Sequence, residues 1–162
     1  MLRIQIPGKE VLLIENFIFD YNGTIATDGK IPKNIKERLE QLSQHVNIYV
    51  ATADTYGNAK AECDKYGLNV KILTNSETRK AKCEFVKELN PQNTVCLGNG
   101  FNDIDMLSYA ILSIGVFGDE GIYAGILNKC DIAVNSIENG LDLFLKPNRL
   151  VALLRDWCIW LL

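Results

Sequence analysis

NFIFDYNGT, residues 16–24, runs three apolar side chains into an acid and then breaks at Asn22-Gly23. The run reads as a short strand, because Asn and Gly so soon after it disfavour a helix start; Asp20 then stands at the strand's carboxyl end. Similar runs recur at 46–52, 69–73, 93–98, 110–117 and 130–134. Between them lie segments of helical period at 34–42, 56–66, 77–89, 102–109 and 120–127, and a last helix starts at Pro147, a residue suited to a first helical turn. This alternation predicts an α/β fold, a Rossmann-like three-layer sandwich around a mainly parallel sheet. Ahead of it, 2–6 and 11–15 flank Pro7-Gly8-Lys9-Glu10 and predict a β-hairpin.

A chain of 162 residues suits a single domain: hairpin 1–15, core 16–145 and C-terminal helix 146–162. A net charge of −3 gives no bias toward polyanions, so nucleic acid is not an expected partner. The five cysteines, at 63, 83, 96, 130 and 158, form no CxxC pair and read as small apolar residues of a reducing compartment. The opening has no secretory apolar stretch, and the apolar tail is broken by Arg155 and Asp156, so a soluble cytoplasmic protein without membrane contact is expected.

In a parallel sheet ligands bind beyond the carboxyl ends of the strands. The polar residues there are Asp20, Asn22 and Thr24, then Thr52 and Asp54, then Asn99, Asn102 and Asp103. An acid before a glycine turn can attack phosphorus while the freed amides of the turn cradle phosphoryl oxygens, and Thr24 and Thr52 can add hydroxyl donors. Lys82 opens an amphipathic helix with Val86 and Leu89 at i+4 and i+7, which turns its ammonium to the same edge; Lys80 is the less well placed rival. Asp103 suits either a magnesium ion or a helix amino terminus.

With DYNGT, TAD, KCEFVKEL, GNGFND and GVFGDEGIYAGILNKCDIAV all in order, the chain resembles the haloacid-dehalogenase-like superfamily. Within it, the resemblance is strongest to the phosphorylation domain of P-type ATPases, with its DKTGT, TGD and GDGxND motifs. It implies a magnesium-dependent phosphatase or phosphotransferase in which Asp20 becomes a phosphoaspartate, Thr52 binds the phosphoryl group and Lys82 steadies its charge. The phosphate-binding set is then Tyr21, Gly23, Thr24, Ala53 and Asn102, and magnesium falls to Asp20, Asn22 through its carbonyl, Asn99 and Asp103. An ion pump is excluded, since no membrane helices are expected and the span from Thr24 to Thr52 is too short for a nucleotide-binding insertion.

Two positions depart from the pattern. Phosphatases of the superfamily carry a proton-transferring Asp where Asn22 stands, and an amide cannot exchange that proton near neutral pH. Asn99 replaces a metal-binding Asp, so weaker magnesium binding is expected. The rival reading is a phosphate-responsive binding or regulatory module that has lost turnover; a receiver domain is disfavoured because it carries an acidic pair after its first strand.

The segment 24–34 reads as a flap hairpin turning at Asp28-Gly29, too brief for a cap domain. The partner expected is a phosphorylated substrate, small molecule or macromolecule; the site is expected to be open, which suits a large one such as a protein or polymer end, or a homo-oligomer whose neighbour covers the mouth. Tyr21 points away from the site if the strand alternation persists past Asp20, though its hydroxyl, or Asp54, could replace the missing acid. His45 reads as a helix-end residue, and Leu150, Leu153, Leu154, Trp157 and Leu161, with Trp160 beside them, as a stripe covering the sheet or an oligomer contact.

Overall fold

The computed structural model describes residues 1–54, 57–73 and 77–156. The chain enters through an antiparallel ribbon of β1 (Leu2–Ile4) and β2 (Leu12–Ile14), then passes through Glu15 into β3 (Asn16–Asp20), whose five residues are all buried. The further strands are β4 (Asn47–Thr52), β5 (Asn69–Ile72), β6 (Thr94–Gly98), β7 (Leu112–Val116) and β8 (Ile132–Val134). They form a six-stranded, wholly parallel sheet in the order β5-β4-β3-β6-β7-β8. The chain builds outward from β3 on one side, then returns to build outward from β6 on the other. The crevice between the ends of β3 and β6 is thus the topological switch point, where such sheets bind ligands.

Among the described residues six α-helices cover the sheet: α1 (Lys36–Ser43), α2 (Ala59–Asp64), α3 (Thr78–Glu88), α4 (Ile104–Tyr109), α5 (Ile137–Leu145) and α6 (Pro147–Leu154). Successive residues of the strands feed opposite layers. Phe17, Phe19, Val50, Val95 and Leu97 join one core with α1, α2, α5, α6 and the ribbon, while Ile18, Ala51 and Cys96 join another with α3 and α4. Ile18 and Asp20 therefore share the α3 face, and Phe19 and Tyr21 point to the other. This alternation brings Lys82 of α3 to Asp20 and carries the Tyr21 ring away.

Among the described residues no helix is long and apolar enough to cross a membrane. Cys63, Cys83 and Cys96 are buried thiols and Cys130 is half-buried; Cys158 lies outside the described residues. His45 is exposed just after α1, as expected.

Two expectations are corrected, and one helix was not expected. Residues 120–127 form no α-helix: Gly118 and Gly121 make an isolated bridge, and the chain then enters a 3-10 turn at Ala124–Asn128. Gly121 adopts φ +83°, and the Tyr123 amide donates to the Asn99 carbonyl at 2.8 Å, which pulls this stretch toward the site instead of letting it coil. Conversely, α5 was not expected, and Gly140 lies within it. That glycine sits where an added Cβ would lie 3.1 Å from Leu97 Cδ2, so it allows the helix to approach the sheet, and Ser136 caps the start by accepting the Asn139 amide. In α6, Leu150 is fully buried and Val151 and Leu154 pack on the core, but Leu153 is 60% exposed; Trp157, Trp160 and Leu161 lie outside the described residues.

The α6 packing separates two leucines of one helix. Leu150→Ala is expected to cost about 2–5 kcal/mol in urea unfolding, from lost burial and the cavity left behind. Leu153→Ala should change stability by less than about 0.5 kcal/mol. Equal losses at the two positions would contradict this packing.

Candidate active site

At the switch point, β3 delivers Asp20 and the loop after β6 delivers residues 99–103. The Lys82 ammonium, 1% exposed, lies between them: it donates to Asp20 Oδ1 and, at 2.6 Å, to Asp103 Oδ1. Lys80, two residues earlier and so on the opposite side of α3, is exposed and faces Glu77 at 3.7 Å, which resolves the choice between the two lysines. Asp103 is fully buried, and its Oδ2 accepts the amides of Asn99 at 3.0 Å and Gly100 at 2.9 Å. That return fold needs Gly98, where an added Cβ would lie 2.7 Å from the Asp103 side chain.

On the other side of Asp20, the Thr24 hydroxyl stands 3.3 Å from Asp20 Oδ2 and 3.1 Å from Asn99 Oδ1. The Asn99 amide donates in turn to the Gly121 carbonyl at 3.0 Å. Gly23, at φ +77°, lies so close to Asn99 that a Cβ there would come within 2.1 Å of Nδ2. The turn 22–24, the loop 99–103 and the bridge 118–121 are thereby braced together. Residues 118 and 121 were missed in the sequence, although the glycine pair of FGDEG was a signal for a turn over the site.

Thr52 ends β4 beside the site; its hydroxyl accepts the Asp54 amide at 3.0 Å, which leaves its own proton to donate. Ala53 is exposed on the same edge, and Asn102 is half-buried, close against Gly100. Two residues are placed elsewhere than the missing acid would need. The Tyr21 hydroxyl donates to the Gly29 carbonyl at 2.8 Å under the flap, and the Asp54 carboxylate caps α2 by accepting the Ala59 amide at 2.9 Å. The flap itself turns as expected at Asp28 and Gly29, both at positive φ, between the paired residues Thr27 and Lys30.

Two carboxylates and one ammonium leave the buried cluster with one negative charge. Burial pushes the Asp20 carboxyl up to about 6; Asp103 adds to the rise and Lys82 opposes it. Burial works against charge on Lys82 too, but Asp20 and Asp103 outweigh it and hold the ammonium above the ordinary lysine range. A magnesium ion calls for oxygen donors, and Asp20 Oδ2, Thr24 Oγ1 and Asn99 Oδ1 converge here. Asp103 has only Oδ1, shared with Lys82, left to offer.

No family model matches the chain. An uncharacterised protein of Methanocaldococcus jannaschii is 39% identical to it over 101 residues, which cover 60% of this chain and 99% of that protein. A soluble P-type ATPase-like phosphatase of the same organism is 23% identical over 147 residues; the match covers 89% of this chain and 54% of that relative's length. Among solved structures, the cobalt-bound deoxy-D-mannose-octulosonate 8-phosphate phosphatase of Haemophilus influenzae matches with a TM-score of 0.68 at 13% identity, over 88% of this chain and 94% of that one. The Moraxella catarrhalis 3-deoxy-D-manno-octulosonate 8-phosphate phosphatase, in complex with magnesium, phosphate and its sugar acid, matches equally at 0.68 and 15% identity, over 86% and 92%. The chain belongs to one family with the first M. jannaschii protein, and its fold is that of the haloacid-dehalogenase-like phosphatases.

The raised Asp20 carboxyl makes stability depend on pH. Its native pKa of about 6 lies above the ordinary value of 3.8, so the stability it contributes is fully present below about 4 and lost as pH rises through 6. In urea unfolding in chelating buffer, the native protein is expected to lose up to about 3 kcal/mol relative to Asp20→Asn between pH 4 and pH 7.5, from about 1.4 kcal/mol per pKa unit, on top of the pH-independent cost to the variant of losing the Lys82 contact. A gap that does not change with pH would refute this account of the cluster.

Proposed function

For a chain with the haloacid-dehalogenase-like fold, we propose a magnesium-dependent phosphatase or phosphotransferase acting through a phosphoaspartate at Asp20. The observation that carries this reading is the buried Lys82 ammonium, which bridges Asp20 and Asp103 at the switch point. In the first step an Asp20 carboxylate oxygen attacks phosphorus, and the bond from phosphorus to the leaving oxygen breaks with its electron pair on that oxygen. Water then attacks phosphorus, the bond to Asp20 breaks, and inorganic phosphate, a proton and the free carboxylate result. Lys82 balances charge on the aspartyl phosphate, Thr24 and Thr52 offer hydroxyl donors, and Tyr21 through its backbone, Ala53 and Asn102 line the phosphoryl oxygens; the Gly23 and Thr24 amides, expected in the sequence to be free for this, are instead bonded to the Ala26 carbonyl at 2.8 Å and the Tyr21 carbonyl at 3.4 Å.

When bound, a divalent cation draws charge from the phosphoryl oxygens. The residues to hold it are Asp20, the carbonyl of Asn22, the Asn99 amide oxygen and, through Oδ1, Asp103. An amide in place of a carboxylate at position 99 makes the hold weak.

Asn22 sets the range of useful substrates. It can neither protonate a departing alkoxide nor activate water, so acyl and activated aryl phosphates are favoured, and the phosphoenzyme decays slowly. The two asparagines also support a second reading, a regulatory module that responds to phosphate without turnover.

Asn22→Asp keeps the side-chain shape and restores the proton chemistry. It is expected to raise alkyl phosphate hydrolysis at least about tenfold, within the usual range for a positioned acid, while acetyl phosphate, which leaves without a proton, gains little. In the native protein, a phosphoenzyme trapped from acetyl phosphate and absent in Asp20→Asn supports the enzyme. If no donor labels the protein and beryllium fluoride with magnesium leaves its melting temperature unmoved, Asp20 is not a phosphoryl acceptor.

A further inference from the structure

A cleft of about 540 Å³ opens beside position 22, lined by Asn22, Asp28, Gly29, Asn58 and Glu120. Three loops hold its walls against one another. The Asp28 amide donates to Glu120 Oε1 at 2.8 Å, which ties the flap tip to the 118–121 bridge. Gly29 abuts Asn58, and Gly118 abuts the Gly23 carbonyl; added Cβ atoms would lie 3.2 and 2.9 Å from those neighbours. Asn22, two residues beyond Asp20, therefore shares one braced cleft with the flap. The ionisable side chains lining it are both acids, Asp28 and Glu120, and among the described residues no Lys, Arg or His lines it.

We propose that this cleft receives the leaving group of the phosphorylated substrate, and that it selects leaving groups that are uncharged or carry an amine over those that carry a carboxylate. The proposal rests on the phosphoryl-transfer reading, in which the leaving oxygen departs beside position 22. A carboxylate brought between Asp28 and Glu120 meets two like charges and no cation, whereas an ammonium gains from both. Hydroxyl groups are accepted by either rule, because the amides of Asn22 and Asn58 both donate and accept. The phosphate itself is served by Lys82, which donates to Asp20 and does not line the cleft. The charge preference is thus local to the leaving group.

Glucosamine 6-phosphate, glucose 6-phosphate and 6-phosphogluconate have six-carbon frames and a primary alkyl leaving oxygen, and differ in charge. Measured as competitive inhibitors of acetyl phosphate hydrolysis, they report binding even where alkyl turnover is slow. In low salt, glucosamine 6-phosphate is expected to bind at least about tenfold tighter than 6-phosphogluconate, with glucose 6-phosphate between them and the spread narrowing as salt screens the charges. The double variant Asp28→Asn, Glu120→Gln removes both charges and keeps the walls, since Asn tolerates positive φ and the Gln oxygen still accepts the backbone amide. It should shrink that ratio at least about fivefold, the loss expected when two like-charge contacts vanish. Equal affinities in the native protein, or an unchanged ratio in the double variant, overturn the proposal while acetyl phosphate hydrolysis that needs Asp20 still stands. If acetyl phosphate is not hydrolysed at all, the phosphoryl-transfer reading fails first and takes the proposal with it.

Discussion

Lys82 sits beneath the carboxyl edge of the sheet with both Asp20 and Asp103 on its ammonium, and most of the local architecture can be derived from the need to keep it there. A lone buried ammonium is costly to desolvate, and removing one partner from a buried pair typically costs about 3–5 kcal/mol. Both acids must therefore arrive together. The register Phe19 to Leu97 sets the ends of β3 and β6 side by side, and Gly98 lets the Asp103 side chain fold back against the strand. On the helix side, Phe85 meets Tyr49 edge-on at 5.5 Å and Val86 is fully buried, which fixes the rotation of α3 that points Lys82 inward.

Asn99 has a second duty that a carboxylate could not perform. Its amide accepts from Thr24 and donates to Gly121, whereas an ionised Asp only accepts. A carboxylate here would face the Gly121 carbonyl with no proton between them. The amide at position 99, which in the proposed function gives a cation a weaker hold than a carboxylate would, thus also knits together the three loops around the site.

Much of this was legible in the chain itself. Apolar runs ending in polar residues located the strands and placed Asp20 and Thr52 at one edge, and the Val86 spacing chose Lys82 over Lys80. Asp28-Gly29 announced the flap turn, since both residues suit positive φ. The misreadings came where tertiary contacts overrode local pattern. Ile122 and Ile126 have helical spacing and do pack inward, yet the Tyr123 amide bond to Asn99 holds that stretch out of an α-helix. Gly140 reads as a breaker until its close approach to Leu97 is known. The Tyr21 direction follows the strand alternation, whereas that of the Asp54 carboxylate depends on the start of α2, a contact that no spacing rule encodes.

The two asparagines that set this site apart are each followed by glycine, Asn22-Gly23 and Asn99-Gly100. That pairing is chemically perishable, because an unhindered following backbone nitrogen can attack the side-chain amide, expel ammonia and leave an acid. The fold restrains both nitrogens: the Gly23 amide is held by the Ala26 carbonyl and the Gly100 amide by the Asp103 carboxylate. Heating or unfolding releases them. Ageing of the chain would then write carboxylates, many of them on an isoaspartyl backbone, into positions 22 and 99, so the chemical history of a sample becomes part of the character of its site.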